Sequence, residues 1–476
     1  MKTYFIDRNG SQPIYEQLYD QIKTEIQNGI WKEHDKLPSK RMLADHLKLS
    51  IQTIETTYEQ LLAEGYIYSK PKSGFFVESG IHHSTVKHVQ DYEALIQPKQ
   101  KELKYLYDCR TNRIDASMFP SVLWSRLIRD ELSKASLELW NQSDYQGLPL
   151  LREEIANLLL EFRGISIHPN QIIVGPGMEY LIPMLFSVIG RNQRVGLEVV
   201  GYRKTVLIYQ TNGISIESIP LDESGVISQE LSSKNLSLLH ITPSHQFPTG
   251  IVMPIKRRLE LLKWMAEADH RYIIEDDYDS EFRFIGQPIP ALKSLDTWDR
   301  VIYFNSFTKS IAPGIRIAYM VLPIALIAKA RQTFQSFHCP LPNLEQITLA
   351  HFIHEGHFER HLSRLKVAYR NRRDELINAL ERSLLNPYLS IHGEDAGLHF
   401  VLELKTNRLG RELVDAAKQH TVLLSALKEY EVDYDLPDFP YLILGYSELK
   451  SEQLPGFIAA LEAAWMPLLE NEENAF

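Results

Sequence analysis

The sequence predicts an α/β chain in two folded parts. One is an N-terminal helix-turn-helix with a two-stranded wing. The other is a larger, mainly parallel sheet covered by helices, with a smaller α+β subdomain toward the C-terminus. Three observations carry this. Two short helical patterns stand close together before Gly65 and are followed by a hairpin pattern. From about Tyr107 onward, short apolar runs alternate with longer amphipathic stretches. Those runs end in polar or glycine-rich residues, where the ligands of parallel sheets collect.

The bulk numbers bound the answer. The 476 residues allow two or three domains, and 44% hydrophobic with 24% charged residues is ordinary for a soluble chain. A net charge of -10 gives no global field toward nucleic acid, so any DNA-binding surface has to be local. Cys109 and Cys339 cannot build a disulfide framework. "MKTYFIDRNGSQ" lacks the apolar core of a signal peptide, and no uncharged apolar run reaches about 18 residues. These features predict a cytoplasmic chain with no membrane partner.

In "QPIYEQLYDQIKTEIQNGIW", Ile14, Leu18, Ile22 and Ile26 recur at steps of four. That spacing is one helix face, with Pro13 at its first turn and Gly29 as its stop. Ser39 caps a second helix carrying Leu43, Ala44 and Leu47. Ser50 caps a third carrying Ile54, Tyr58, Leu61 and Leu62, closed by Gly65. Such a pair can place its second helix in a major groove. "YIYSK" and "GFFV" read as strands joined by "KPKSG", a wing. The N-terminal domain is expected over residues 1–78. Residues 79–106, "SGIHHSTVKHVQDYEALIQPKQKELKYL", read as a polar linker. His82 and His83 are taken there as ordinary exposed histidines, and no metal site is expected.

The run "LPSKRMLADHLKLS…TIETTYEQLLAEGYIYSKPKSGFFV" resembles the GntR-type winged helix almost end to end. The resemblance implies contacts to a double-stranded DNA operator from Arg41, from Ser50, Gln52 and Thr53 at the start of the recognition helix, and from Lys70 and Lys72 in the wing. Two positions depart from that pattern. Ile51 stands where the family usually has arginine, and Glu55 where a basic residue often sits. Residues 1–78 hold about ten basic and about eleven acidic side chains. Few phosphate contacts are therefore expected per domain, and useful affinity only from a dimer on two half-sites.

The third region, residues 107–476, is read as chemistry. A pyridine cofactor that forms a Schiff base needs a lysine, a carboxylate to keep its ring nitrogen protonated, an aromatic face and phosphate donors. Lys309, after the strand-like "RVIYF", supplies the amine. Asp276, at the end of "RYIIED", is placed to pair with the ring nitrogen, and Tyr278 to reach a ring hydroxyl. Tyr202, after "LEVVG", supplies the aromatic face. "GPGM" opens a helix, so the amides of Gly177 and Met178 can hold phosphate. Ser306, Thr308 and Arg316 surround Lys309 with further donors.

The segments "DYQGLPLLREEIANLL", "QIIVGPG", "TPSHQFPTG", "IIEDDYDSEFRF", "DRVIYFNSFTKSIAPGIRIAY", "EGHFERHLSRLKVAYRNRRDEL" and "DAGLHF" resemble the fold-type I aminotransferases, which use pyridoxal 5′-phosphate. In detail they are similar to the MocR/GabR regulators. The resemblance covers nearly the whole chain. It implies a bacterial transcription regulator that holds pyridoxal phosphate on Lys309, often as a head-to-tail homodimer, and senses a small amine or amino acid effector.

Phe247 replaces the asparagine usual in aminotransferases, which leaves His245 or Tyr278 to satisfy the ring hydroxyl. Lys204, with Arg203 beside it, stands where GabR-like members hold an effector carboxylate with arginine. "FPYLILGYSEL" lacks the second carboxylate arginine of aminotransferases. The expected function is thus a pyridoxal phosphate-dependent regulator with at most weak or partial transaminase activity. Two alternatives stand beside it: a regulator sensing pyridoxal phosphate itself to control vitamin B6 supply, and a genuine aminotransferase with an appended DNA-binding domain.

Overall fold

Side-chain periodicity accounts for the first unit. In the computed structural model, α1 (Ile14–Gln27) buries Leu18, Ile22 and Ile26 on one face. α2 (Lys40–Leu47) and α3 (Ile51–Ala63) begin where Ser39 Oγ accepts from the Met42 N–H and Ser50 Oγ from the Thr53 N–H. Each serine thereby satisfies an amide that the first helical turn leaves unpaired. Lys48 ends α2 in the left-handed region, at φ 53°. Ile54, Tyr58 and Leu61 fill the core. Leu62, expected with them, is exposed, because one step past Leu61 turns a side chain about 100° round the helix. β1 (Ile67–Lys70) and β2 (Gly74–Val77) form the antiparallel wing, Ile67 opposite Val77.

The structure describes residues 2–8, 12–81, 105–111, 113–134, 137–286, 289–432 and 436–473. The chain divides into two units, Met1–Leu103 and Lys104–Phe476. Most of the expected linker, including His82 and His83, lies outside the described residues.

The second unit is built on a seven-stranded sheet. In chain order its elements are β3 (Ile172–Gly175), α4 (Met178–Ile189), β4 (Arg194–Glu198), α5 (Arg203–Thr211), β5 (Ser215–Ile219), β6 (Leu238–Ile241), α6 (Ile255–Ala266), β7 (Tyr272–Asp276), β8 (Val301–Ser306) and β9 (Ala318–Val321). Their spatial order is β3-β9-β8-β7-β6-β4-β5. β9 runs antiparallel to both neighbours, while β8, β7, β6, β4 and β5 pair in parallel. The strands are apolar along most of their length because helices cover both faces. The carboxyl ends of β4, β6, β7 and β8 therefore open on one side.

After α7 (His357–Glu381), a second sheet forms from β10 (Leu389–His392), β11 (His399–Leu404), β12 (Ser425–Ala426) and β13 (Tyr441–Gly445), in the order β10-β11-β13-β12 and wholly antiparallel. α8 (Gly410–Gln419) packs on it and α9 (Leu454–Glu473) packs on α8, with Trp465 fully buried and its indole N–H donating to the Leu413 carbonyl at 3.0 Å. At Gly250 and Gly393 the two sheets' loops meet backbone to backbone. A Cβ on Gly250 would lie 2.6 Å from Gly393 Cα.

Two ion pairs inside the second unit hold the end of β7 and the residue after it. Arg163 Nε lies 2.9 Å from Asp277 Oδ2, which also accepts from the Tyr303 hydroxyl at 2.6 Å. Arg258 Nη1 lies 3.6 Å from Glu275 Oε1, with both side chains fully buried. Removing one partner of a buried pair strands the other charge. Asp277→Ala is expected to destabilise the chain by about 3–5 kcal/mol, and the apolar double replacement Arg163→Met with Asp277→Leu to recover most of that. Denaturant unfolding measures it; a single-variant loss below about 1 kcal/mol would remove the pair as a structural lock.

Candidate functional site

The open strand ends bound a cavity of about 210 Å³. β4 contributes Glu198, β7 Asp276, and β8 Ser306; the turns beyond these strands add Tyr202, Tyr278, Thr308 and Lys309, and the turn beyond β6 adds Thr242. α4 brings Met178 and Glu179, with Gly177 before it. Arg316 enters from the turn before β9, and Leu398 and His399 from the start of the second sheet.

Lys309 donates from its Nζ to the carbonyl of Thr111, which reaches the site from the far end of the unit's chain. Burial lowers the Lys309 pKa to about 8, against a partial opposing pull from Asp279. Asp276 has His240 Nε2 at 3.6 Å, and the other ring nitrogen of that histidine lies 2.8 Å from the Tyr209 hydroxyl. Buried His240 thus links the carboxylate to a fixed phenol and orients it toward the cavity. Glu198 is buried beside it. Burial drives its pKa up to about 7, although Thr242 donates to it from both its hydroxyl, at 2.6 Å, and its N–H.

The ring-hydroxyl expectation divides. Tyr278 lines the cavity, whereas His245 does not; it lies behind Tyr278. His245 Nδ1 is 3.0 Å from the Tyr278 hydroxyl and 2.8 Å from Asp279 Oδ2. Gly397 closes over the imidazole so tightly that any side chain there would overlap it. Phe247 occupies the neighbouring wall, edge-on to Tyr202, Tyr278 and Tyr430. His399 is buried against His245 with ring centroids 4.8 Å apart, and burial pushes its pKa well down, so it stays neutral.

The phosphate end also differs from expectation. The Gly177 N–H donates to the Gly175 carbonyl at 2.8 Å, so this amide is engaged within the turn. The next two amides, of Met178 and Glu179, stand at the start of α4. Arg316 donates to the Pro176 carbonyl at 2.9 Å and to Glu179, and Lys204 Nζ lies 2.9 Å from the same carboxylate. Arg203 is exposed and does not line the cavity; adjacent helix positions point about 100° apart, so Lys204 faces in and Arg203 out.

Thr111, Glu179, His240, Asp279 and His399 were not among the residues singled out from sequence. Lys309, Asp276, Tyr278, Tyr202, Ser306, Thr308 and Arg316 share the one cavity. Behind it, Asp279 and Asn305 also line a second cavity of about 160 Å³, which holds Arg163, Arg258 and Glu281.

In the N-terminal unit, Arg41, Gln52, Lys70 and Lys72 are exposed. Lys70 lies over the Phe76 ring at 5.0 Å, and Lys72 sits at the wing turn with φ 61°. The Ser50 and Thr53 hydroxyls are 2.7 Å apart, each engaged in the cap. Glu55 pairs with Lys40 at 2.6 Å, which removes one cation from this face.

Residues 14–77 match the family described as bacterial regulatory proteins, gntR family, and residues 123–437 match aminotransferase class I and II. The chain is 36% identical to the uncharacterized HTH-type transcriptional regulator YdeL of Bacillus subtilis, over 97% of this chain and 99% of that one. It is 30% identical to the probable rhizopine catabolism regulatory protein MocR of Rhizobium meliloti, over 97% and 96% of the two chains. To the HTH-type pyridoxine biosynthesis transcriptional regulator PdxR of Corynebacterium glutamicum it is 32% identical, over 81% and 82%. In structure it is similar to Pyrococcus horikoshii kynurenine aminotransferase, with a TM-score of 0.69 at 21% identity, covering 81% of this chain and 100% of that one. The last likeness is one of fold.

Lys309 reactivity gives a test. With a pKa about 8, about one amine in ten is neutral at pH 7, against about one in several thousand for an ordinary lysine. Labelling of Lys309 by a small aldehyde and borohydride, read by peptide mass spectrometry, should rise with pH through a midpoint near pH 8 and level off about one unit higher. A rise that continues to about pH 10 would assign Lys309 the ordinary lysine value.

Proposed function

Since the chain belongs to the MocR-type HTH transcriptional regulators, with a GntR-family DNA-binding domain joined to a class I and II aminotransferase-like domain, we propose that it regulates transcription through pyridoxal 5′-phosphate held on Lys309. Residues 1–78 are the DNA-binding part, 79–106 the linker and 107–476 the cofactor-binding part. The observation that carries the reading is a single cavity lined by a buried lysine amine of lowered pKa, a carboxylate held by His240 and the start of α4.

The residues fit the group. Asp276, oriented by His240, is the partner for a protonated ring nitrogen. Tyr278 addresses the ring hydroxyl, with His245 setting the direction of its phenol. Tyr202 and Phe247 supply aromatic surface. Met178, Ser306, Thr308 and Arg316 form the phosphate end. Bound there, pyridoxal phosphate would supply an aldehyde carbon for imine chemistry with amines. Lys309 would be the resident amine, an effector amine would be its rival, and the Thr111 carbonyl is in place to hold the free Lys309 Nζ. Only a difference in effector affinity between two arrangements of the protein turns this exchange into a signal. A head-to-tail homodimer presenting two winged helices to paired half-sites is the arrangement proposed for DNA binding.

A second reading, response to pyridoxal phosphate itself, is favoured by Glu179, whose carboxylate holds both cations of the phosphate end.

Lys309→Ala should abolish the visible absorbance that added pyridoxal phosphate acquires on the native chain, and leave the N-terminal unit folded. Borohydride fixing the cofactor to another lysine would overturn the assignment. Titrating the loaded protein with amines and amino acids beside an operator-binding assay separates the readings. A change in DNA affinity on adding amine supports effector sensing, a change on adding cofactor alone supports the second reading, and sustained keto acid production supports an enzyme. Arg41→Ala should weaken operator binding and flatten the salt dependence by about one phosphate contact; an unchanged slope would place Arg41 off the phosphates.

A further inference from the structure

Three anion-stabilising elements converge at the start of α4: the positive end of the helix, the Arg316 guanidinium and the Lys204 ammonium. An anion of the chain's own already sits there. Glu179 Oε1 receives Arg316 Nη2 and has Lys204 Nζ at 2.9 Å. Its other oxygen lies over Gly177, where an added Cβ would come within 2.7 Å of it. Gly177, at φ 103°, leaves this floor open, and Arg316 reaches it from a left-handed position at φ 57°. Burial pushes the Glu179 carboxyl up, but its own backbone N–H, Lys204 and Arg316 outweigh that and hold it below its ordinary value. It therefore remains a carboxylate through the neutral range. Its side chain is 38% exposed, so it is free to swing out.

We propose, resting on the cofactor reading, that Glu179 is an internal competitor for the phosphate of pyridoxal phosphate: it holds Arg316 and Lys204 until the phosphate takes them. A phosphate monoester carries a charge of about -1.5 to -2 at neutral pH. It cannot share the two cations with a carboxylate at contact distance without repulsion. Binding the phosphorylated aldehyde therefore includes expelling Glu179 to solvent, and binding the unphosphorylated aldehyde does not. The residue lowers affinity for the phosphate form selectively. Occupancy then follows the concentration of free pyridoxal phosphate over a higher range than the cations alone would give.

The test titrates full-length wild type, Glu179→Gln and Lys204→Ala with pyridoxal phosphate and with pyridoxal, reading Kd by calorimetry and by absorbance. Glu179→Gln should bind pyridoxal phosphate about tenfold tighter or more, and change pyridoxal by less than about twofold. Inorganic phosphate should compete better against pyridoxal phosphate in that variant. Lys204→Ala should weaken pyridoxal phosphate and leave pyridoxal unchanged. Unchanged or weaker binding of pyridoxal phosphate by Glu179→Gln, or equal shifts for both aldehydes, overturns the proposal while the cofactor reading stands. A native chain and variants that bind neither aldehyde remove both.

Discussion

Everything around the cavity depends on how one extended segment sorts its charges. From Glu275 to Asp277, successive side chains leave the end of β7 on opposite sides, the period-two rule of extended backbone. Asp276 faces the front cavity. Glu275 and Asp277 turn to the back, where Arg258 and Arg163 meet them. Glu275 also accepts from the Leu292 and Lys293 amides, each at 2.8 Å. A one-residue slip would reverse the arrangement, putting two structural acids into the site and burying Asp276 among arginines. The buried pairs behind the sheet are thus what aims Asp276 to the front.

The front of the site uses the opposite strategy, leaving charges incompletely neutralised. Lys309 is desolvated, which favours its neutral, nucleophilic form. Glu198 is pushed toward its neutral form by the same burial. His399 stays uncharged beside them. At this end burial weakens the charges it encloses, while at the start of α4 Arg316 and Lys204 stay exposed and meet the Glu179 carboxylate.

Most of this plan is legible in the sequence because its signals are local. Lys309, Asp276 and Tyr278 sit just beyond apolar runs whose strand identity follows from composition, and parallel strands bring their ends together. The winged helix is legible for the same reason, through caps at Ser39 and Ser50 and steps of four. What the sequence hides arrives from far along the chain or through hydrogen-bond geometry. Thr111 reaches Lys309 across 198 positions and offers only a backbone carbonyl, which no side-chain pattern reports. His399 comes from a different sheet. Gly177 keeps its amide for Gly175, a detail of one turn. Arg203 and Lys204 differ only in helical phase, decided by where α5 begins.

The contact between Gly250 and Gly393 has a mechanical consequence. Both residues take positive φ, at 76° and 77°, and their main chains touch with no side chain between them. A joint of this kind sets its spacing by main chain alone, with no rotamer to change it. It ties the loop carrying Phe247 to the turn between β10 and β11, whose second strand opens with His399. Those two walls of the cavity are therefore spaced by main chain, and their rings meet edge-on with centroids 5.4 Å apart. The open walls lie elsewhere, at the starts of α4 and α5, where the Glu179 and Lys204 side chains are 38% and 44% exposed.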